Sequence, residues 1–299
     1  MGASPAPGRG AGLTSLRQVV QQTHRTLEEA GIPDSRLEAE VLVMTVVRLP
    51  RQDLFARQEM EVPAPAERQL AQLVARRLTR EPLAYILGRR EFYGINLLVN
   101  PNVLIPRPET ETLVEHALFM ALMGMENPAL VIADVGTGTG AIAINLAIHL
   151  PNARIYATDV SDEALDVASY NIRGHNVADR VTLLKGDLLE PLPEPVDLIA
   201  ANLPYIPTDR IPTLQPEVQR EPREALDGGP DGLDHIRRLV AQAAGGKLKE
   251  PGVILLELDP EQAPAVEALA HQLFPDAQTS VEKDLARLDR VFVINRGMN

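Results

Sequence analysis

The sequence predicts an α/β protein in which a small helical bundle precedes a doubly wound, mostly parallel sheet. From residue 130 onward, short apolar runs typical of buried strands alternate with stretches of helical pattern, as in successive β–α–β units. Before residue 89, apolar residues recur at helical spacing instead. A glycine-rich turn joins the first apolar run to the next helix, and the 299 residues are enough for two domains.

The helical bundle is expected over residues 13–88, after a disordered tail over residues 1–12 that is rich in Gly, Ala and Pro. Its first helix carries an apolar stripe from Leu16 to Leu27, and a later helix repeats such a stripe around Leu70. Stripes of this kind bury one face of each helix, so we expect the helices to pack on one another.

The rest of the chain is expected to form a hairpin or extended linker over residues 89–106, with Gly94 near its turn, and a larger domain over residues 107–299. Apolar runs in the larger domain predict six strands, around residues 129–136, 154–161, 181–187, 196–206, 252–259 and 290–296. Ligands of such sheets bind outside the carboxyl ends of the strands. The residues that end these runs are therefore the candidates for a functional site.

The composition excludes several kinds of site. The chain has no cysteine, which excludes disulfides, thiolate zinc sites and a cysteine nucleophile, and suits the cytoplasm. Its six histidines are scattered without metal-ligand spacing, so no metal is expected. No apolar run approaches the roughly 18 residues of a membrane span, and the first residues lack the apolar core of a secretory signal. We therefore expect a cytoplasmic protein without a membrane partner.

The charge is distributed unevenly along the chain. Residues 1–106 hold 13 basic and 11 acidic residues, a net charge of +2, whereas residues 107–299 hold 16 and 30, a net charge of −14. Phosphate contacts supply most of the affinity for duplex nucleic acid. The acidic larger domain therefore disfavours a direct nucleic-acid partner, although a local basic patch is compatible with an acidic total.

The turn after the first predicted strand is a candidate cofactor-binding loop, here called the glycine loop, and it consists of Gly136, Thr137, Gly138, Thr139 and Gly140. Glycine permits positive φ and a close approach of the backbone to a ligand. The helix that follows offers unpaired N–H groups at its first turn. The structural alternative is a tight turn whose glycines serve packing alone.

The glycine loop is compatible with two kinds of ligand. Gly136, Gly138 and Ala141 also satisfy the G-x-G-x-x-G/A pattern of NAD proteins. Asp134 and the glycines at every second position favour S-adenosylmethionine, because an acid there suits a positively charged ligand and repels a pyrophosphate. Asp159 ends the next strand, at about the spacing where an acid meets ribose hydroxyls in nucleotide-binding folds.

The third predicted strand ends in a further pair of candidate cofactor residues, Asp187 and Leu188. In such a fold this position lies beside an adenine pocket, and we expect Leu188 to cover the base. The alternative for Asp187 is an ordinary turn residue.

The fourth predicted strand ends in Asn202, Leu203, Pro204 and Tyr205, here called the Asn-Leu-Pro-Tyr segment. An amide nitrogen is a poor nucleophile because its lone pair is delocalised. The Asn202 side-chain oxygen and the Leu203 carbonyl would accept two N–H hydrogens, aim such a nitrogen, and stabilise the charge that grows on it. Pro204 would fix the turn and Tyr205 would form a wall for a flat group. The alternative is a strand exit that uses Asn and Pro as turn residues.

Four other charged residues stand at places where they either border a site or serve structure. Arg107, Glu109 and Glu111 precede or begin a predicted helix, where first-turn acids are also expected on structural grounds. Glu257 ends the fifth strand, and it either faces the site or caps a turn.

Six segments distributed over nearly the whole chain together resemble one known family; they read "REPLAYILGRREFYG", "VLIPRPETETLVE", "DVGTGTGAIAINLA", "ATDVSDEALDVASYN", "GDLLEPL" and "EPREALDGGPDGLDHIR". The family is that of the protein-glutamine N5-methyltransferases that modify peptide-chain release factors, the HemK-type family. The family signature after the fourth strand is Asn-Pro-Pro-Tyr, from which this chain departs only at Leu203. Leucine keeps the backbone carbonyl but lacks the φ restriction of proline.

The resemblance implies a class I S-adenosylmethionine-dependent methyltransferase with a Rossmann-like sheet. The donor would be S-adenosyl-L-methionine, which leaves as S-adenosyl-L-homocysteine, and the acceptor would be the glutamine of the Gly-Gly-Gln motif in class I release factors. The glycine loop, Asp159, Asp187 and Leu188 would line the cofactor, Asn202 would bridge cofactor and substrate, and the N-terminal helices would help to dock the release factor.

Three other functions compete with this one. An N6-adenine-type DNA or RNA methyltransferase would hold its target amine with a segment similar to Asn-Leu-Pro-Tyr. The 3% aromatic content and the negative charge of residues 107–299 disfavour this function. An NAD-linked oxidoreductase is compatible with the glycine loop alone, and a non-catalytic binding module would retain the fold without turnover.

Overall fold

The computed structural model describes residues 14–123 and 129–297. The chain divides into two compact units, of which the first ends at Leu87 and the second begins at Gly88. The tail expected over residues 1–12 lies outside the described residues. The finer division at residues 13–88, 89–106 and 107–299 stays a prediction.

The first unit is helical. Its helices within residues 14–87 are α1 (Leu16–Glu29), α2 (Ser35–Val47), α3 (Arg51–Ala56), α4 (Ala64–Leu78) and α5 (Leu83–Leu87). Helix α1 begins at a capping box in which Ser15 and Gln18 satisfy each other's backbone N–H groups. Leu16, Leu27 and Leu42 are fully buried in the core of this unit. Amphipathic α1, packed on α2, therefore supplies one wall of that core.

The second unit begins with an antiparallel hairpin, β1 (Arg89–Phe92) and β2 (Ile95–Leu98). The turn of the hairpin contains Gly94, which has a φ of 75°, as the sequence predicts. Helix α6 (Thr110–Met123) follows.

The remaining elements alternate between strands and helices. They are β3 (Val131–Val135), α7 (Ala141–His149), β4 (Arg154–Asp159), α8 (Asp162–Gly174), β5 (Val181–Lys185), β6 (Val196–Ala201), α9 (Asp234–Gln242), β7 (Leu248–Glu257), α10 (Ala263–Leu273), β8 (Gln278–Lys283) and β9 (Asp289–Arg296). This order confirms the predicted alternation from residue 130 onward.

Strands β3 to β9 form one sheet with the order β5-β4-β3-β6-β7-β9-β8. Neighbours from β5 to β7 pair in parallel, and β9 alone runs in the opposite direction. The predicted doubly wound, mostly parallel α/β sheet is therefore confirmed. Strand β8 escapes prediction because its sequence, QTSVEK, is polar and lies at the sheet edge, where only partial burial is needed.

Each face of the sheet has its own apolar core. Ile132, Ile155 and Leu198 lie on the face covered by α6, α7 and α8. Ala133 and Ile199, the next residues along their strands, point to the opposite face, which α9 and α10 cover. Burial on both faces holds the parallel strands rigid, so the residues just beyond their carboxyl ends have fixed positions.

None of the helices within residues 14–123 and 129–297 is both long enough and apolar enough to cross a membrane.

Candidate functional site

A cavity opens at the carboxyl ends of β3, β4, β5 and β6, across the point where the strand order reverses between β3 and β6. This is the place at which doubly wound sheets bind their ligands. The residues that line it include Val103, Leu104, Gly136, Gly138, Thr158, Asp159, Val160, Gly186, Asp187, Leu188, Asn202, Leu203, Pro204, Pro222, Ala225 and His235.

Hydrogen bonds to the end of the neighbouring strand β4 hold the glycine loop in place. The backbone N–H groups of Gly136 and Thr137 both donate to the carbonyl of Thr158 at 2.9 Å. The N–H of Gly138 donates to Asp159 Oδ2, also at 2.9 Å. Gly136, Gly138 and Gly140 have φ values of 72°, 52° and 80°, a region in which glycine is strongly preferred. The three glycines are therefore required by the backbone path of the loop.

The glycine loop also touches the Asn-Leu-Pro-Tyr segment directly. A Cβ placed on Gly136 would lie 3.1 Å from Leu203 Cδ2 and 3.7 Å from the Asn202 carbonyl oxygen. A Cβ on Gly138 would meet no atom closer than the Gly136 carbonyl at 4.0 Å, so it would stand in open space. Gly136 thus allows close packing, whereas Gly138 leaves room in the cavity.

Asp134 braces the glycine loop without lining the cavity. Its Oδ2 accepts hydrogen bonds from Thr137 Oγ1 at 2.6 Å and from the N–H of Ala143 at 3.0 Å. The side chain is fully buried and, within the described residues, Oδ1 has no hydrogen-bond partner. Burial raises the pKa of Asp134 to about 6, although Thr137 and Ala143 oppose the rise.

Asp159 lies at the end of β4 on the cavity wall. Its two oxygens accept from backbone N–H groups, Oδ2 from Gly138 at 2.9 Å and Oδ1 from Ser161 at 3.0 Å. Each carboxylate oxygen has a second lone-pair site, so both retain capacity for a ligand hydroxyl. The adjoining Val160 is 57% exposed although it is apolar, and it also lines the cavity.

Asp187 and Leu188 follow β5 and line the cavity from the next strand along. Asp187 forms an ion pair with Arg238 of α9. Leu188 is buried and has a φ of 52°, which costs an L-residue of this size on the order of 1 kcal/mol. Strained residues of this kind concentrate at binding sites, and here the strain turns an apolar side chain to the cavity wall.

Asn202 stands at the end of β6 with its two amide atoms in different environments. Its Nδ2 donates to the buried hydroxyl of Thr110, in the first turn of α6, at 2.9 Å. Neither Asn202 Oδ1 nor the carbonyl of Leu203 accepts a hydrogen bond from any described residue. Two acceptors at the cavity wall are therefore available to a ligand.

Tyr205 is not among the residues that line the cavity, and it is hydrogen-bonded to the end of β7. Its hydroxyl donates to Glu257 Oε1 at 3.2 Å. Burial, together with the nearby Glu257 carboxylate, raises the pKa of the phenol, so Tyr205 is a neutral donor at neutral pH. Its backbone carbonyl accepts from Gln262 Nε2 at 2.9 Å. These contacts fix the far end of the Asn-Leu-Pro-Tyr segment.

The residues expected to bind a cofactor or substrate divide into two groups. Gly136, Gly138, Asp159, Asp187, Leu188, Asn202, Leu203 and Pro204 meet at the one cavity. Thr137, Thr139, Gly140 and Tyr205 do not line it. Thr137 bonds Asp134, and the carbonyl of Thr139 accepts from Asn171 Nδ2 at 2.9 Å, so these two hold the shape of the loop.

Several residues near the cavity were not predicted individually. Val103 and Leu104 come from the segment before α6, and Pro222, Ala225 and His235 come from the long connection after β6 and the start of α9. Val103, Leu104 and Pro222 lie in irregular segments, Ala225 ends a single 3₁₀ turn, and His235 lies in the first turn of α9. None of these positions belongs to a long periodic pattern that would mark it as facing inward. Their only sequence signal is the resemblance of the surrounding stretches to the family.

Arg107, before α6, and Glu111, in the first turn of α6, make structural contacts near the site. Arg107 forms an ion pair with Glu221, a buried carboxylate that also accepts from the N–H of Ile105 at 3.0 Å. Glu111 accepts from the N–H of Tyr93 at 3.0 Å. Neither Arg107 nor Glu111 lines the cavity. No cluster of three or more His, Cys, Asp or Glu side chains suited to a metal ion occurs among the residues that the structure describes.

Two family models match the chain. One, described as the PrmC N-terminal domain, matches residues 18–88. The other, described as a methyltransferase domain, matches residues 132–221, which include the glycine loop and the Asn-Leu-Pro-Tyr segment. The two matches fall in the two units of the chain, the first, apart from its last residue, in the helical unit and the second in the unit that holds the sheet.

Relatives of known name and structure agree with these matches. A methyltransferase structure from Pyrococcus furiosus aligns with a TM-score of 0.50 over 76% of this chain and 99% of that one, and at 19% identity it shows the fold alone. The release factor glutamine methyltransferase of Geobacter sulfurreducens is 42% identical over 85% of this chain and 87% of its own length. That of Moorella thermoacetica is 45% identical over 94% of this chain and 99% of its own length. This chain belongs to the family of release factor glutamine methyltransferases.

Proposed function

We propose that this protein transfers the methyl group of S-adenosyl-L-methionine to the side-chain amide nitrogen of the glutamine in the Gly-Gly-Gln motif of class I release factors. The observation that carries the proposal is the hydrogen bonding of the Asn202 side chain. Its amide nitrogen is bonded to Thr110, while its oxygen and the neighbouring Leu203 carbonyl have no donor among the described residues. A primary amide brings two N–H donors to such a pair.

The cavity residues fit S-adenosylmethionine. Asp159 retains acceptor sites for ribose hydroxyls, and the exposed Val160 with the buried Leu188 offers apolar surface for a base. Thr158 Oγ1 is buried at the cavity without a hydrogen-bond partner in the described chain. The open space at Gly138 leaves room for part of the cofactor, and a side chain at this position would occupy that room. When bound, this cofactor supplies an electrophilic methyl group on a sulfonium.

The Asn-Leu-Pro-Tyr segment would orient the acceptor amide. Asn202 Oδ1 and the Leu203 carbonyl accept the two hydrogens of the substrate –NH₂ group, which directs its nitrogen toward the methyl carbon. The new nitrogen–carbon bond forms as the carbon–sulfur bond breaks, and the positive charge moves from sulfur to nitrogen. One N–H proton then leaves to water. The products are an N5-methylglutamine side chain and S-adenosyl-L-homocysteine.

Positioning and carbonyl dipoles would supply most of the catalysis. The amide nitrogen becomes acidic only as it is methylated, so no strong base is needed before transfer. Orientation of two reactants is worth roughly 7–11 kcal/mol at best. The two acceptor oxygens would add electrostatic stabilisation, because the charge on nitrogen appears beside them in the transition state.

The adenine-directed alternative is not favoured by the relatives from Moorella thermoacetica and Geobacter sulfurreducens, which are named release factor glutamine methyltransferases. A release factor substrate also implies a cytoplasmic location, since these factors act on ribosomes. We expect no direct nucleic-acid partner.

The test is a methyl-transfer assay in which purified protein and labelled cofactor are offered a class I release factor, free tRNA and DNA side by side. We expect labelling of the release factor alone, and its loss when the motif glutamine is changed to alanine. Labelling that survives this change, or that appears on nucleic acid instead, would contradict the proposal.

We propose further that the first unit contributes to release-factor binding through a groove lined by Arg17, Arg25, Arg36 and Phe55. Arg17 and Arg36 pair with acids, while Arg25 makes no ion pair within the described residues and Phe55 is 47% exposed. The lining holds these three arginines against one carboxylate, Glu40, so the groove is basic on balance and suits an acidic protein surface.

Arg25→Glu is expected to raise KM for the release factor several-fold with kcat unchanged, because it acts on encounter and binding. Arg68→Glu makes the same charge change at an exposed position of α4 outside the groove, and it should leave KM unchanged. Equal increases in KM for the two variants would mean that the net charge of the protein, and not the groove, determines release-factor binding.

A further inference from the structure

Glu257, the last residue of β7, is a buried carboxylate that the proposed transfer does not use. It is 1% exposed. Its Oε1 accepts from the Tyr205 hydroxyl at 3.2 Å, while Oε2 has no hydrogen-bond partner in the part of the chain that the structure describes. A buried carboxylate with an open oxygen destabilises a fold. Its contact with Tyr205 joins it to the Asn-Leu-Pro-Tyr segment, so we consider a role in positioning that segment.

Thr110 connects Glu257 to Asn202. The Thr110 hydroxyl accepts from Asn202 Nδ2 at 2.9 Å, and it also lies beside the Glu257 carboxylate, whose ionised form it favours. A hydroxyl has one proton to donate and lone pairs that accept. An ionised carboxylate only accepts, so it attracts the Thr110 proton, and Thr110 is then left as the acceptor for the Asn202 –NH₂ group.

We propose that Glu257 is a positioning residue that acts through Thr110 to keep the side-chain oxygen of Asn202 facing the acceptor amide. The proposal rests on the function given above only in naming what Asn202 faces. When Glu257 is protonated, it donates to Thr110 instead, and the Thr110 proton becomes available to Asn202 Oδ1. Both ends of the Asn202 amide can then bond to Thr110, so its orientation is no longer fixed.

The groups around Glu257 place this change near neutral pH. Burial raises the pKa of Glu257 to about 7, and the like charge of Glu109 contributes to the rise. Thr110, Arg290 and the Tyr205 hydroxyl oppose it. The pKa in the folded protein lies above the ordinary value of 4.5. The ionised, orienting form is therefore gained as pH rises through about 7 and lost as pH falls.

The direct test observes Asn202 by NMR without any turnover. The Asn202 side-chain –NH₂ signals are identified by their loss in Asn202→Ala and followed in the full-length protein from pH 5.5 to 8.5. We expect them to titrate with a midpoint near 7 in the wild type and to be flat in Glu257→Gln and Thr110→Val. Asp134→Asn, which changes the other buried carboxylate with an open oxygen, should leave the titration intact.

Kinetics give a second readout. At pH 8, Glu257→Gln should lower kcat about tenfold, as for loss of one orienting hydrogen bond, and leave KM for S-adenosylmethionine within about twofold, because positioning is lost but not cofactor binding. The wild-type fall in kcat below pH 7 should disappear in this variant. Tyr205→Phe should move that fall to higher pH, because the Tyr205 hydroxyl lowers the pKa of Glu257.

The relay through Thr110 is tested by a double-mutant cycle. Glu257→Gln should cost little further activity in a Thr110→Val background, while Thr110→Ser, which keeps the hydroxyl, should restore the pH dependence. Additive losses would overturn the proposal, as would wild-type Asn202 signals that do not titrate. Normal titration of Asn202 in a protein that does not methylate release factors would overturn the proposed function but leave this inference standing.

Discussion

The glycine loop and the Asn-Leu-Pro-Tyr segment face each other across one cavity but are stabilised in different ways. The loop is held by backbone contacts and by Asp134 and Asp159, all within two consecutive β–α units. The Asn-Leu-Pro-Tyr segment is held by side chains of distant elements, Thr110 of α6 and Glu257 of β7. The loop is thus shaped by its own backbone and nearby acids, while the other segment is positioned by side chains of distant elements.

The difference predicts a division of labour. Changes in the loop should act on cofactor affinity and on stability, because its polar atoms are used to hold its own shape. Changes in the Asn-Leu-Pro-Tyr segment should act on turnover, because in the proposed function its open acceptors bind the substrate amide. Leu203 is the point at which the two regions touch.

Asn202→Ala is expected to have the largest effect and to separate the two regions most clearly. It removes an oriented acceptor that strengthens as charge grows on the substrate nitrogen. We expect kcat to fall by about 100- to 1000-fold, as for loss of a transition-state hydrogen bond. Calorimetry should show the affinity for S-adenosylmethionine changed by less than about threefold. A large loss of cofactor affinity would mean that Asn202 belongs functionally with the glycine loop.

Asp134→Asn is expected to act on stability and to show it through pH. The folded-state pKa of Asp134 is raised from 3.8 to about 6, so ionisation disfavours the folded state. Wild-type stability should fall as pH rises through that window, by about 3 kcal/mol from this group. Urea unfolding should show the Asn variant gaining stability relative to the wild type between pH 4 and pH 7.

A companion variant sharpens the assignment to Asp134. Thr137→Val removes a hydrogen bond that lowers the pKa of Asp134, so it should move the wild-type fall in stability to higher pH. A stability difference between Asp134→Asn and the wild type that does not change with pH would show that Asp134 is ionised at little cost.

Gly136→Ala is expected to weaken cofactor binding by about tenfold, which corresponds to about 1.4 kcal/mol. The substitution strains a backbone with a φ of 72° and brings a Cβ to 3.1 Å from Leu203 Cδ2. In a Leu203→Ala background the contact disappears and only the backbone strain remains. The double variant should therefore bind the cofactor more tightly than additivity predicts, as calorimetry would show. Strict additivity would mean that the loop and the segment are independent.

The same contrast explains which parts of the molecule the sequence reveals. The bonds that shape the loop stay within two consecutive β–α units, as from Gly138 to Asp159, 21 residues apart, or from Ala143 to Asp134, 9 residues apart. Such local geometry leaves a motif, and the strand–glycine–helix order and the acid at the next strand end were both predicted. The sheet itself follows from the alternation of apolar runs.

The partners of the Asn-Leu-Pro-Tyr segment lie much further along the chain. Thr110 is 92 residues from Asn202, and Glu257 is 52 residues from Tyr205. Nothing in the sequence around Thr110 marks it as a partner of Asn202, because only the folded sheet brings α6 beside the end of β6. For the same reason the sequence does not distinguish a site residue from a turn cap at Glu257. Its contact with Tyr205 forms only when the chain is folded.

Leu203→Pro, which restores the proline of the family signature, is expected to have the smallest effect. The Leu203 N–H makes no hydrogen bond with a described residue, so proline sacrifices no donor there. The backbone carbonyl is kept, but the contact with Gly136 is lost and the backbone of Asn202 is restricted. We expect kcat to fall by about threefold and cofactor affinity to change less, since a loss of this size corresponds to well under 1 kcal/mol. A loss comparable to that of Asn202→Ala would show that the leucine side chain, and not only its carbonyl, sets the geometry of the clamp in this chain.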